Sequence, residues 1–177
     1  GFGLLLRYVR KFRDKGNSFE DCVDFTNKLI PHIEHLVTIS DLKHLMRGGR
    51  LSKSSATIVS LLKIQPLIHV DESGKLVSVA KQIGRKRAIR ELSRLVDSRA
   101  EKNLKGSVIE SVSGEKQDVI IGHSDCLEDA LSLKDMLSKL DFIGNVDIMP
   151  IGCVIGSHSG AGTLAVFFYG KTRKWDS

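Results

Sequence analysis

Cysteine, proline and aromatic side chains are all scarce in this chain of 177 residues, and each scarcity removes a class of protein. The three cysteines, Cys22, Cys126 and Cys153, stand far apart with no close Cys-x-x-Cys pair. That spacing suggests neither a disulfide framework nor a structural zinc site, so ordinary reduced thiols and no bound metal or cofactor are expected. Aromatic residues make up 6% of the chain and none is interleaved with the basic residues. A base-stacking platform for single-stranded nucleic acid is therefore missing. No apolar run approaches the roughly 18 to 20 residues of a membrane-spanning helix, since Leu4-Leu5-Leu6 is interrupted at once by Arg7. The opening segment has no long apolar stretch with a small-residue cleavage site, which makes a cytoplasmic location the expectation. Internal repeats and low-complexity tracts are absent as well.

What is present is an ordinary globular mixture, 41% apolar and 27% charged, enough for one domain with a sizeable core or one domain plus a fragment. The net charge of +6 and the pI near 9.3 fit nucleic acid, an anionic membrane surface or simply a soluble basic protein. Charge alone does not choose among these, so a basic nucleic-acid-binding module stands as the alternative reading. Against it count the few aromatics and the lack of a zinc, helix-turn-helix or RNA-binding signature.

Periodicity predicts a helix over residues 4 to 15, with Leu5, Tyr8, Val9 and Phe12 on one face, ended by Gly16-Asn17. Ser18 caps a second helix, with Asp21 in the capping-box position and Phe19, Cys22, Val23, Thr26, Ile30 and Ile33 as its stripe. A short β-rich run from Leu36 follows. Ser40-Asp41 then opens a brief helix through Leu45 and Met46, which Gly48-Gly49 stops, and Ala56 to Leu62 reads as a further helix. Pro66 to Val70 and Leu76 to Val79, joined by the turn Asp71 to Gly74, read as a hairpin. A helix from about Arg85 to Lys102, a strand at Val119 to Gly122, a helix from Cys126 to Leu140 and strands at Val146 to Met149 and Thr163 to Tyr169 complete the pattern. Residues 106 to 116 give no assignable signal. The fold class is α/β, a mixed β-sheet domain covered by helices. Two helices without strands of their own precede it, and they read as detached from the sheet. They are expected to be the end of a truncated α/β domain, with residues 1–35 as its closing helices and 36–177 as the second domain.

Two segments carry chemical information. In Asp41-Leu-Lys-His-Leu-Met-Arg-Gly-Gly-Arg-Leu-Ser52, paired glycines free the backbone to turn or to approach a ligand, and Arg50 and Ser52 put a charge and a hydroxyl beside the bend. A helix stop is the plain reading of the same glycines. In Ile151-Gly-Cys-Val-Ile-Gly-Ser-His-Ser-Gly-Ala-Gly-Thr163, glycines surround His158 with small neighbours that cannot cover it. A structural histidine is the plain alternative there.

Together these segments resemble the DegV family, whose members carry Leu-x-x-Leu-x-x-Gly-Gly-Arg-Ile-Ser and later Ile-Gly-Pro-Val-Ile-Gly-x-His-x-Gly-Pro-Gly-Thr. The likeness runs from about Gly1 to Gly170 and includes Lys-Ile-Gln-Pro-Leu-Ile-His-Val, the Asp-Glu-Ser-Gly-Lys turn, a basic helix and Ile-Ile-Gly-His-Ser-Asp. The chain departs from it at Cys153 and Ala161, where prolines are usual, and at Ile83, where a basic residue is frequent. The resemblance implies a two-domain α/β protein that binds one long-chain fatty acid between its domains, some members presenting it to a fatty acid kinase. It also implies that the amino-terminal domain, which supplies head-group hydroxyls, is missing here. On this basis the chain is a lipid-binding protein and not an enzyme.

His158 matches the family's head-group histidine, and a charged hydrogen bond from it would be roughly twice as strong as a neutral one. Ser159 stands beside it, and Arg50 is a second donor or a support for its loop. Ile58, Leu61, Leu62, Val154 and Ile155 are candidates to line the acyl tail, with ordinary core packing as the plain alternative. Arg85, Lys86, Arg87, Arg90 and Arg94 form a basic helix, either a solvated face or a docking face for the kinase. Ser157-His158-Ser159 and His123-Ser124-Asp125 place polar groups together, but neighbours on one strand or turn rarely face each other as nucleophile and base.

Overall fold

The computed structural model describes residues 1–41 and 64–174. Helix α1 spans Phe2–Arg13 and places Arg10, Lys11 and Arg13 in its last turn, where cations offset the negative end of the helix dipole. Helix α2, Phe19–Leu29, begins with the expected capping box. The Ser18 hydroxyl accepts from the Asp21 amide at 3.1 Å, and the Ser18 amide donates to the Asp21 carboxylate at 3.2 Å. A 3-10 turn at Ile30–His32, with Pro31 inside it, leads into strand β1, Ile33–Thr38.

Strands β2 (Ile64–Val70) and β3 (Leu76–Ile83) form the expected hairpin. Its turn is held by the Asp71 carboxylate, which accepts from the backbone amides of Ser73 at 2.8 Å and Lys75 at 2.9 Å. Then come α3 (Arg85–Arg99), the single turn α4 (Glu110–Ser113), β4 (Gln117–Ser124), α5 (Leu127–Leu137), β5 (Ile143–Pro150), α6 (Cys153–Ser159) and β6 (Thr163–Tyr169). The six strands make one mixed sheet in the order β3-β2-β1-β6-β4-β5. Only β4 and β5 run parallel, with α5 as their crossover.

Alternation of side chains gives this sheet two apolar faces, and each needs a cover. On one face Leu36, Leu67, Ile121, Val166 and Phe168 pack under Ala88, Ile89 and Leu92 of α3 and under Leu133 and Leu137 of α5. On the other, Ile33, Ile120 and Tyr169 pack against Leu4 and Tyr8 of α1 and Phe25 and Leu29 of α2. The two leading helices are thus not detached, which corrects the sequence expectation. The Tyr8 hydroxyl accepts from the Asp118 amide at 3.0 Å, and Lys11 pairs with the Asp118 carboxylate at 2.7 Å, so α1 is also tied to β4 by polar contacts.

The stripes are rotated from the expected ones. Leu5 and Phe12 are half-buried, and Phe19 and Ile30 are exposed at 78% and 41%, while Phe25 is buried and stacks on Phe12 with ring centroids 4.3 Å apart. Packing of α2 on α1 as well as on the sheet selects the Phe25 side, a choice that counting along one helix does not contain. Burial of each large side chain in these clusters stabilises the fold by about 1.5–3 kcal/mol.

Candidate functional site at the strand ends

Polar groups collect where β1, β4 and β5 end and β6 begins. At the end of β5 the Ile151 amide donates to the His123 carbonyl at 2.8 Å, which steers the chain over the end of β4. The chain then forms α6 where the glycine-rich sequence reads as a loop. Gly156 lies inside this helix, and its position faces the Ser124 hydroxyl. Gly160 ends it with φ near +79°, and its amide returns to the Gly156 carbonyl at 2.7 Å.

Gly162 adopts φ near +77°, and its amide donates to the Ser124 carbonyl at 2.7 Å. A side chain there would come within 2.5 Å of the Ser40 hydroxyl, which itself donates to the Gly162 carbonyl at 3.3 Å. Glycine is required on both counts, conformation and space. Ser40, Ser124 and Gly162 therefore bind β1, β4 and the entry to β6 into one corner.

His158 stands in the last turn of α6, half-exposed. Ser159 follows it and is 6% exposed, and its buried hydroxyl has no hydrogen-bond partner among the described residues. Such a group costs free energy until it finds a partner. Val154 and Ile155 lie on the outer side of α6, exposed at 70% and 61%, so the plain reading of both as core residues is corrected. Arg50, Ile58, Leu61 and Leu62 lie outside the described residues. The Ser157 hydroxyl donates to the Val154 carbonyl at 2.9 Å, so it is engaged within α6. In the other polar triplet, His123 Nδ1 lies 3.4 Å from the Cys126 amide.

Other titratable groups are explained by packing. Burial pushes the Cys126 thiol up, and its Sγ donates to the Thr163 carbonyl at 3.2 Å. Burial pushes His35 down to about 4, and its ring packs edge-on against Phe167 in the sheet, so it is a neutral core histidine at physiological pH. Among the described residues no cluster of three or more His, Cys, Asp or Glu side chains could hold a metal ion, and no helix is long and apolar enough to cross a membrane. A cavity of about 580 Å³ between α1 and β5 is lined by Arg7, Arg10, Lys11, Asp118 and Asp147. Arg7 pairs with Asp147 and Lys11 with Asp118 in its wall beside Leu6, and α6 does not line it.

On α3, Arg85 pairs with Asp129 at 2.8 Å and Arg94 with Glu91 at 2.5 Å. Lys86, Arg87 and Arg90 are exposed and make no salt bridge to another described residue. The basic face is therefore narrower than the sequence suggests. Sequence reasoning passed over Thr163, whose hydroxyl reaches back to α6. Its only signal is the hydroxyl directly after Gly-Ala-Gly, where an apolar strand begins.

The fold and this corner define an α/β domain of one mixed sheet with helices on both faces, its polar residues gathered at one set of strand ends. The model of the DegV family, described as that of an uncharacterised protein family, matches residues 1–171, and the chain belongs to this family. A DegV domain-containing protein of Clostridium perfringens is 37% identical over 174 residues, which are 98% of this chain and 56% of that protein. A second from Lactococcus lactis is 32% identical over 94% of this chain and 54% of its own length. The chain spans about half the length of the curated relatives it matches. Among solved structures, a fatty-acid-binding DegV family protein of Streptococcus agalactiae superimposes with a TM-score of 0.74 at 30% identity, over 95% of this chain and 55% of that one. The Streptococcus pneumoniae fatty acid kinase B3 protein, loaded with linoleic acid, gives 0.80 at 20% identity over 95% and 55%, a likeness of fold.

Proposed function

We propose that the complete gene product binds one long-chain fatty acid and that residues 36–177 supply the part of its site built on α6. In this reading α1 and α2, which cover one face of the sheet, also lead in from a preceding α/β domain, which fits relatives of nearly twice the length. The observation that carries the proposal is the placement of His158, half-exposed, next to the buried Ser159 hydroxyl, which has no hydrogen-bond partner among the described residues, in the chain of a family with a fatty-acid-binding member 30% identical. A buried carboxylate is tolerated only with donors around it, and these two side chains provide two. Arg50 is the third donor, or the support of its loop. Ile58, Leu61, Leu62, Val154 and Ile155 line the acyl tail. The exposed valine and isoleucine of α6 agree with a surface that a ligand or a further domain covers.

Direct titration of the purified complete protein with a fluorescent long-chain fatty acid tests this reading. Saturable binding at one site per chain, competed by an unlabelled fatty acid, is expected. Absence of saturable binding by folded, delipidated protein contradicts it.

The proposal extends to a cytoplasmic carrier that presents the bound acid to a fatty acid kinase; the pneumococcal structural neighbour is a fatty acid kinase B3 protein loaded with linoleic acid. The exposed Lys86, Arg87 and Arg90 on α3 then steer the encounter with an acidic partner surface. The double change Arg87→Glu with Arg90→Glu is expected to leave the melting temperature nearly unchanged, since exposed charges add little to stability, and to slow association with the kinase at low salt. An association rate equal to that of the parent in stopped-flow mixing removes this docking face.

A further inference from the structure

We infer that Thr163 is a positioning residue for His158, holding the imidazole in place through the backbone of the last turn of α6. The inference rests on the head-group role proposed for His158 and names what fixes that side chain. Helix α6 has seven residues, too few to persist by its own hydrogen bonds. Its N-cap is Gly152, which has no side chain to cap it, and its outer residues Val154 and Ile155 are exposed, so packing on that side adds little. The terminal carbonyls of a helix also lack intrahelical partners.

Thr163 meets this need at the C-terminal end. Its hydroxyl, 2% exposed with the residue, lies 3.0 Å from the Ser159 carbonyl and 2.9 Å from the Gly160 carbonyl, and its one proton is shared between them. The Ser159 carbonyl belongs to the Ser159–Gly160 peptide, so this bond acts on the residue that follows His158. Thr163 is itself tied to the sheet. It is the first residue of β6, paired across the sheet with Ser124, and its carbonyl accepts from the Cys126 thiol at 3.2 Å. The Gly162 amide, bonded to the Ser124 carbonyl, fixes the preceding peptide. The sheet thus holds the hydroxyl, the hydroxyl holds the end of α6, and α6 holds His158.

A helix cap with no bearing on His158 would affect stability alone, and a double-mutant cycle separates the two roles. Affinity for a fluorescent long-chain fatty acid is measured on the complete protein and on Thr163→Val, Thr163→Ser, His158→Ala and the double variant Thr163→Val with His158→Ala. Valine keeps the shape and removes the donor, and it is expected to weaken binding by about tenfold, the loss of one hydrogen bond's worth of order. Serine restores the donor and is expected to bind within about twofold of the parent. In the His158→Ala background the valine is expected to change affinity by less than about twofold, because nothing is left for it to position. Parent-like affinity of Thr163→Val, or a tenfold loss that persists without His158, overturns the inference. Should Thr163→Val not fold, Thr163→Ala, which also lacks the donor, enters the same cycle with the same expectations. If His158→Ala alone binds like the parent, the head-group assignment of His158 fails, an outcome distinct from loss of the positioning role.

Discussion

Replacing Arg99 with alanine is expected to lower the stability of the fold by about 3–5 kcal/mol, the cost of breaking a buried ion pair by removing one member. Glu34 in β1 is fully buried, and Arg99 at the end of α3 reaches its carboxylate through Nη2 at 2.8 Å and Nε at 3.3 Å. The same guanidinium donates to the carbonyls of Thr172 and Lys174, each at 2.6 Å, and so closes the segment after β6 over that carboxylate. Alanine removes these four bonds while Glu34 stays buried. The paired change Glu34→Leu with Arg99→Met is expected to cost much less, because both charges leave together. Urea denaturation followed by circular dichroism gives the comparison. A loss below about 1 kcal/mol for Arg99→Ala would show that the pair carries no more than a surface salt bridge.

The second large effect concerns the site itself. His158→Ala in the complete protein is expected to weaken fatty acid binding by about 1.5–3 kcal/mol, the range for hydrogen bonds to charged groups. Folding should be nearly unaffected, since the side chain is half-exposed at the end of a seven-residue helix and lies outside the apolar clusters. The melting temperature is measured beside the affinity. Equal affinity moves the head-group role to Arg50 or Ser159, and a collapse of folding makes His158 structural.

Local signals carried much of the fold into the sequence. Strand β6 coincides with the apolar run Thr163 to Tyr169, the Ser18–Asp21 capping box is present, and the Asp71 turn closes the β2–β3 hairpin. Each depends on residues close together in the chain, where periodicity and capping act. The relation of α1 and α2 to the sheet was not legible, because Leu4 and Tyr8 meet Ile120 across more than a hundred residues. A sheet between two layers needs its second face covered, and helices that come before every strand serve as well as helices between strands.

The site divides in the same way. His158 and its glycines could be read in sequence because glycine marks backbone freedom wherever it stands. That this run forms a short helix was missed, since four glycines argue for a loop, whereas the helix end is held by Thr163 and the following Gly162 is tied to Ser124 and Ser40. Those tethers depend on the register of β6 between β1 and β4, a long-range property. Narrowing of the basic face has a similar origin, because Asp129, the partner of Arg85, comes from α5.

The central claim, that the protein is a carrier of one long-chain fatty acid, is tested most directly by mass spectrometry of an organic extract. The complete gene product is purified without added lipid, and the extract is quantified against protein. The account predicts close to one long-chain fatty acid per chain, reduced in His158→Ala. Extracts from folded protein that hold only trace fatty acid, with none taken up when it is offered, would contradict it.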